Sequence, residues 1–160
     1  MTLPLIPKCA NVIETIARKA GDLALSHFFE LSSLPVEAKG HLDLVTVADK
    51  EVEAFITREL IATFPNDGVF GEEGASRKSQ SGRTWVVDPI DGTFNFVRGG
   101  DQWAVSIGLY ENGYPILGVL HVPVKMQTFV GGKGLPSTFN GKLMDQRKGM
   151  KPEQAACCIG

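Results

Sequence analysis

The chain has 160 residues, of which 43% are hydrophobic and 21% charged, and its formal net charge is −2 at pH 7. A chain of this length buries roughly 70% of its unfolded surface, so we expect one domain, or one domain and part of another. The charge gives no basic face of the kind that nucleic-acid binding requires. The sequence therefore predicts no nucleic-acid partner. It also predicts no membrane protein, because no run approaches the roughly 18 apolar residues of a membrane span.

Three cysteines, Cys9, Cys157 and Cys158, lack the CxxC spacing of a zinc site. The adjacent Cys157 and Cys158 are poorly placed to pair with each other. Reduced thiols are therefore expected, which favours a cytosolic compartment. The N-terminal segment lacks the sustained apolar stretch that follows a basic start in a signal peptide. These features predict a soluble, cytoplasmic protein.

Apolar residues at helical spacing predict two helices, over residues 10–31 and about 48–64. Between them, residues 39–46 show no clear period and are interpreted as a loop or short hairpin. Thr46 stands three residues before Asp49. This spacing fits an N-terminal cap followed by a carboxylate in the first turn of the second helix.

After a Pro-Asn-Asp-Gly turn at residues 65–68, the pattern changes from helices to strands. Strands are predicted over residues 69–70, 84–87, 103–110, 114–122 and 128–130, and a short helix over residues 92–98. Small and polar residues from 75 to 83 are interpreted as an exposed and mobile loop. The pairs Asn112-Gly113 and Asn140-Gly141 are signals for hairpin turns.

Acidic residues stand at the ends of these predicted elements. Glu72 and Glu73 follow one strand, Asp88 and Asp91 follow the next, and Asp49 begins a helix. Carboxylates gathered without Lys or Arg repel each other unless a cation joins them or some are protonated. Oxygen ligands of this kind suit Mg²⁺, and two ions about 3.5–4 Å apart are a common device for phosphate-ester hydrolysis. The pattern therefore predicts a site for Mg²⁺ and phosphate.

The turn behind the second acidic pair offers further groups to such a site. Pro89 restricts the backbone so that the carbonyl of Ile90 can face the same ion as the flanking aspartates. Gly92 permits close approach of a ligand, and the amides of Gly92 and Thr93 begin a helix, which suits a phosphate group. The hydroxyl of Thr93 can orient a water if a base such as Asp49 holds it.

Each of these features also has a simpler explanation. Asp-Pro-x-Asp-Gly alone is more often a turn in which the Asp side chains bond their own backbone. Glu72 and Glu73 alone are more often a solvated loop, and Asp49 alone a first-turn helix acid. Trp85 and Trp103 fit the core better than a substrate platform, and no histidine stands at ligand spacing. Only the combination of the three acidic groups favours the metal site.

The stretch WVVDPIDGTFNFVRG, residues 85–99, resembles the first signature of the inositol monophosphatase superfamily of Mg²⁺-dependent, lithium-sensitive phosphatases. DLVTVAD at residues 43–49 and GEE at residues 71–73 match further family motifs, and residues 104–124 resemble the strand pair that follows the signature. The resemblance covers nearly the whole chain. It implies an α+β fold that forms the N-terminal portion of an alternating α/β sandwich.

The resemblance also implies a role for each residue of the candidate site. It assigns metal binding to Glu72, Asp88, Asp91 and the carbonyl of Ile90. Glu73 is expected to contact a water on the metal, and Asp49 and Thr93 to activate the nucleophilic water. The amides of Gly92 and Thr93 are expected to bind the substrate phosphate.

The implied activity is that of a Mg²⁺-dependent phosphomonoesterase, which hydrolyses an inositol monophosphate or a similar small sugar or polyol phosphate by in-line attack of a metal-activated water. Relatives act on inositol phosphates, histidinol phosphate, fructose bisphosphate or 3′-phosphoadenosine nucleotides. The absence of lysine after Thr93 favours inositol phosphate or a sugar bisphosphate. Relatives are commonly dimers, so a homodimer is expected. The alternative is a non-catalytic or incomplete fragment that serves as a metal-binding or dimerisation module.

The chain departs from the family pattern in its last part. Family members are longer and carry a second signature, WDxAAG, but no Trp-Asp pair occurs in this sequence. The aspartate that completes the second metal site in relatives is therefore missing. We expect residues 1–154 to form an N-terminal α+β metal-binding domain. Residues 155–160, an apolar run without a following turn signal, are expected to start a C-terminal α/β domain.

Overall fold

The computed structural model describes residues 5–32 and 41–145. Two long helices come first, α1 (Leu5–Ser32) and α2 (His41–Thr63). They are followed by β1 (Gly68–Gly71), β2 (Ser76–Arg77), β3 (Arg83–Asp91), the short helix α3 (Thr93–Val97), β4 (Ala104–Glu111), β5 (Tyr114–Val122), a 3₁₀ turn (Pro123–Lys125), β6 (Gln127–Gly132), β7 (Leu135–Phe139) and β8 (Lys142–Leu143). This content confirms the α+β class.

The first helix begins earlier than the predicted residue 10. It starts at Leu5 and includes Pro7 in its first turn, where the missing N–H of proline costs no intrahelical bond. Ile6 and Cys9 are buried. The apolar stripe that packs α1 on the sheet therefore continues into this first turn.

The second helix also begins earlier than predicted. It starts at His41, so the loop or hairpin expected at residues 39–46 is wrong from residue 41 onward, and Thr46 lies inside the helix instead of capping it. The segment from residue 41 to 48 contains no glycine or proline. Nothing in it breaks a helix, and its β-branched residues lower helix propensity only slightly.

The eight strands of residues 41–145 form one sheet in the order β2-β1-β3-β4-β5-β6-β7-β8. Among these strands, β1 and β3 pair in parallel, and the other neighbours are antiparallel. The helices α1 and α2 pack against the central strands. Trp85 and Trp103 are only 1% and 2% exposed, which confirms that both belong to the core.

Both Asn-Gly pairs form the predicted hairpin turns. Asn112 and Gly113 have φ values of 51° and 82° between β4 and β5, and Asn140 and Gly141 have φ values of 48° and 75° between β7 and β8. Two successive residues with positive φ match the twist of a tight antiparallel hairpin. The signal succeeds because it depends only on residues next to each other in the chain.

The exposed loop expected at residues 75–83 is partly wrong, because Ser76 and Arg77 form β2 and pair with β1. Strands β7 and β8 are also absent from the prediction. They are short strands with polar residues, β8 at the edge of the sheet and β7 beside it, and such strands give a weak periodic signal. The run predicted at residues 155–160 lies outside the described residues. Among the residues described, none of the helices is long and apolar enough to cross a membrane.

Candidate functional site

The parallel pairing of β1 and β3 brings the two predicted acidic pairs to one edge of the sheet. Gly71 lies opposite Val87 in the register. The next residues, Glu72 and Asp88, therefore lie side by side at the point where β1 ends. The amide of Glu72 donates to the carbonyl of Val87 at 3.1 Å, which fixes the start of the Glu72 turn against β3.

The sequence predicted that this strand ends at Val87, but β3 continues to Asp91 through a bulge. Asp88 lies opposite Ser106 and Asp91 opposite Ala104, so β3 carries one residue more than β4 over this interval. Pro89 sits in the bulge, where a missing backbone N–H is tolerated. The bulge keeps Asp88 half-buried and leaves Asp91 exposed.

Gly92 connects this bulge to α3 with φ 95° and ψ 36°, in the left-handed region. A Cβ at Gly92 would lie 2.7 Å from the carbonyl oxygen of Gln102, so both the conformation and the space require glycine. The amides of Asn95 and Phe96 donate to the Gly92 carbonyl at 2.8 and 3.1 Å. The amide of Thr93 lies in the first turn of α3, where backbone N–H groups have no acceptor within the helix.

The hydroxyl of Thr93 donates to the carbonyl of Ile90 at 3.0 Å. Since a hydroxyl has one hydrogen, Thr93 does not donate to Asp49 in this arrangement. The structure thus joins Thr93 to Ile90, while the expected pairing with Asp49 requires the hydroxyl to turn. The Ile90 carbonyl keeps a second lone pair that an ion could use.

The carboxyls interact strongly enough to change each other's ionisation. Burial, followed by the charges of Glu73, Glu72 and Glu53, raises the pKa of Asp49 to about 7. Burial also raises the pKa of Asp88 to about 7, together with a hydrogen bond to Glu72 and the charges of Glu72, Asp91 and Asp49. We call this group the acid cluster: Asp49, Glu53, Glu72, Glu73, Asp88 and Asp91.

The acid cluster fits a hard divalent cation by its chemistry. Ion pairs among the described residues involve none of its members, and Oδ1 of Asp88 is buried without a hydrogen-bond partner. Carboxylate oxygens in this state are suited to Mg²⁺. In the described part of the chain, however, no three acidic, His or Cys side chains already converge as a metal site.

Glu53 is absent from the site residues predicted from the sequence. It is only 4% exposed, and it accepts hydrogen bonds from the amides of Glu73 at 2.7 Å and Ala75 at 2.8 Å. Its position four residues after Asp49 places both acids on one face of α2. The sequence did contain a signal for Glu53, because this acid stands beside the apolar residues Val52 and Ile56. A carboxylate on a buried stripe of a helix needs a hydrogen-bond partner.

The raised pKa values predict an unusual pH dependence for Asp88→Asn. A carboxyl titrating at about 7 in the folded chain and near 3.8 in the unfolded chain loses stabilisation as pH rises between these values. Without metal, the melting temperature of Asp88→Asn is expected to exceed that of the parent by more at about pH 7.5 than at about pH 5, because the parent loses stabilisation progressively above about pH 4. The measured quantity is the difference in melting temperature between the variant and the parent. Burial lowers the pKa of His121, so His121 makes both proteins more stable as pH rises, and the difference removes this shared contribution. A variant less stable than the parent at the higher pH would contradict the prediction.

Comparisons with known proteins show the family to which the chain is related. A model of the inositol monophosphatase family matches residues 7–159. A fructose-1,6-bisphosphatase/inositol-1-monophosphatase of Thermotoga maritima is 35% identical over 146 residues, covering 91% of this chain and 54% of the relative. A histidinol-phosphatase of Mycobacterium tuberculosis is 40% identical over 119 residues, covering 74% of this chain and 45% of the relative.

The structure of an inositol monophosphatase from Anabaena (Nostoc) superposes with a TM-score of 0.75 at 27% identity. The match covers 89% of this chain and 51% of that one. The chain therefore spans about half the length of the relatives that it matches.

Proposed function

Because the chain belongs to the inositol monophosphatase family, we propose that it is a phosphatase unit that hydrolyses the phosphate monoester of a small polyol or sugar with Mg²⁺. The acid cluster carries the proposal. It gathers carboxylates from α2, from the turn after β1 and from β3, and the ion pairs of the described residues involve none of them. A site built in this way attracts a divalent cation and, through it, a phosphate.

Glu72, Asp88, Asp91 and the carbonyl of Ile90 would hold the ion. When bound, Mg²⁺ supplies positive charge to phosphoryl oxygens and lowers the pKa of water. Asp49 has a pKa of about 7, so it can accept a proton from the attacking water near neutral pH. The amides of Gly92 and Thr93 are the proposed donors to the phosphate oxygens.

Phe94 is the proposed contact for the alcohol part of the substrate. Its ring is 68% exposed next to Thr93, and the guanidinium of Arg98 lies 3.6 Å from the ring centroid. An exposed aromatic ring suits the C–H faces of a sugar or polyol. This feature supports inositol phosphate or a sugar phosphate as the substrate.

We also propose that the protein is a homodimer. The support is the resemblance to relatives that are commonly dimers, and light scattering of the purified chain tests it. The cytoplasmic location stays a prediction based on the cysteine pattern.

Phosphate release from inositol 1-phosphate in the presence of Mg²⁺ tests the function. The parent and Asp22→Asn, a control at an exposed position of α1, are expected to release phosphate, whereas Asp88→Asn is expected to be inactive. Mg²⁺ binding by calorimetry is measured on the same samples. Binding without release would support the non-catalytic metal-binding module instead, and neither binding nor release would contradict both.

Thr93→Ala is expected to lower kcat on the order of 10²-fold, the usual scale for losing help in proton transfer. The affinity for Mg²⁺ is expected to change little, because the Thr93 hydroxyl reaches the ion site only through the Ile90 carbonyl. Thr93→Ser keeps the hydroxyl and is expected to retain most of the activity. A loss confined to Mg²⁺ affinity would contradict the proposed role of the hydroxyl.

A further inference from the structure

Glu53 joins the middle of α2 to the turn that carries Glu72 and Glu73. Its Oε2 accepts the Glu73 amide at 2.7 Å, and its Oε1 accepts the Ala75 amide at 2.8 Å. Val52 and Ile56 on the same helix are fully buried. The carboxylate therefore projects from a buried face of α2.

We propose that Glu53 is a positioning residue that fixes the turn of Glu72 and Glu73 in the arrangement required for binding a divalent cation. The inference rests on the proposed function in one respect, that Glu72 and Glu73 belong to the cation site. Glu53 acts through the backbone of the turn, whereas the side chain of Glu72 would contact the ion and that of Glu73 a water on the ion.

The turn is held from two sides. On the sheet side, the amide of Glu72 donates to the Val87 carbonyl at 3.1 Å. On the helix side, the carboxylate of Glu53 accepts hydrogen bonds from the amides of Glu73 and Ala75. The side chains of Glu72 and Glu73 are themselves exposed. The backbone hydrogen bonds of the turn therefore determine the positions from which these two side chains extend.

The geometry requires a carboxylate at position 53. Two amides point at the side chain, and only a carboxylate presents two acceptor oxygens of the required reach. Glutamine of the same shape would place an NH₂ group against one of the amides. Glu53 also adds negative charge beside Asp49, which increases the attraction for a cation.

Gly71 is a second, independent sign of the same contact. A Cβ at this position would overlap with the carboxylate of Glu53. The glycine of the GEE motif thus leaves the space through which Glu53 reaches the turn. Gly71→Ala should displace the carboxylate without changing any acid of the site.

The test compares Glu53→Gln and Gly71→Ala with the parent and with Glu51→Gln. Glu51 is an exposed acid of the same helix that pairs with His27 at 2.9 Å, so it controls for the loss of one charge. Mg²⁺ affinity is measured by calorimetry on the full chain, amide hydrogen exchange at Glu73 and Ala75 by mass spectrometry or NMR, and folding by circular dichroism. Both test variants are expected to remain folded, to exchange faster at these amides and to bind Mg²⁺ at least about tenfold more weakly. Glu51→Gln is expected to behave as the parent.

The outcomes separate this inference from the proposed function. Parent-like Mg²⁺ affinity in a folded Glu53→Gln or Gly71→Ala chain would overturn the positioning role alone. Weaker binding in both variants, with no phosphate release by the parent, would support the positioning role and contradict the phosphatase. A parent that binds no Mg²⁺ would overturn both.

Discussion

Asp91→Asn is expected to reduce phosphate release on the order of 10³-fold while leaving the melting temperature nearly unchanged. The substitution removes one negative charge from the proposed ion site and changes the side-chain volume very little. Asp91 is exposed on the β3 bulge, and its charge acts on Asp88, so the change affects the site more than the core. The measurements are kcat with saturating Mg²⁺, Mg²⁺ affinity and thermal unfolding.

Asp101→Asn is the matched control for this substitution. Asp101 is another exposed aspartate near α3, and it pairs with Lys125 at 3.3 Å instead of joining the acid cluster. An exposed pair of this kind contributes little to stability, so activity and melting temperature should both stay close to the parent. Comparable turnover in Asp91→Asn and the parent would remove Asp91 from the proposed ligands.

The sequence identified the candidate acids of the proposed site, but it did not predict their neighbours in the sheet. Glu72 and Asp88 were each placed at a strand end from local apolar runs and turn residues. Their meeting depends on the parallel pairing of β1 with β3, which joins segments separated by the β2 hairpin. Periodicity identifies a strand and its buried face, but it carries no information about which strand lies next to it.

Glu53 illustrates a second limit of the sequence. Charged residues on helices usually face solvent, and the partners of Glu53 lie 20 and 22 residues later in the chain. Only the packing of α2 against the β1–β2 turn shows why this acid is buried. In contrast, the hairpin at Asn112 and the turn at Asn140 were predicted correctly, because their geometry is set by adjacent residues.

The start of α2 was predicted wrongly for a related reason. A cap at Thr46 is a local signal with a sound physical basis, yet the helix continues to His41. A cap residue favours a helix start but does not impose one when the preceding segment lacks glycine and proline. The same reasoning explains why the end of α2 at Thr63, shortly before Pro65, agrees closely with the predicted stop.

Asp67 anchors the start of the strand that carries the site. Its side chain is 1% exposed and accepts hydrogen bonds from Arg83 at 2.7 and 3.1 Å, from Ser81 at 2.7 Å and from the Trp85 indole at 3.2 Å. The guanidinium approaches both carboxylate oxygens, which is the strong, two-point form of this pair. Through these bonds, the turn after α2 is tied to β3 at Arg83 and Trp85, five and three residues before Asp88.

Asp67→Ala is therefore expected to lower the free energy of unfolding by about 3 kcal/mol, measured by urea denaturation. The substitution leaves the indole N–H of the buried Trp85 without an acceptor and the Arg83 guanidinium without its counter-charge. Arg83 is 22% exposed and can regain some water, which places the loss at the lower end of the range for buried pairs.

Glu59→Ala provides the comparison, because its pair with Arg58 is largely exposed and should contribute less than about 1 kcal/mol. If the free energy of unfolding fell by a similar amount in the two variants, the hydrogen bonds of Asp67 would stabilise the fold no more than an exposed ion pair does. Folded Asp67→Ala is further expected to bind Mg²⁺ as the parent does, since Asp67 acts on the stability of β3 and not on the turn held by Glu53. Stability and cation affinity should therefore respond separately to substitutions at Asp67 and at Glu53, because the two carboxylates fix different ends of the same sheet segment.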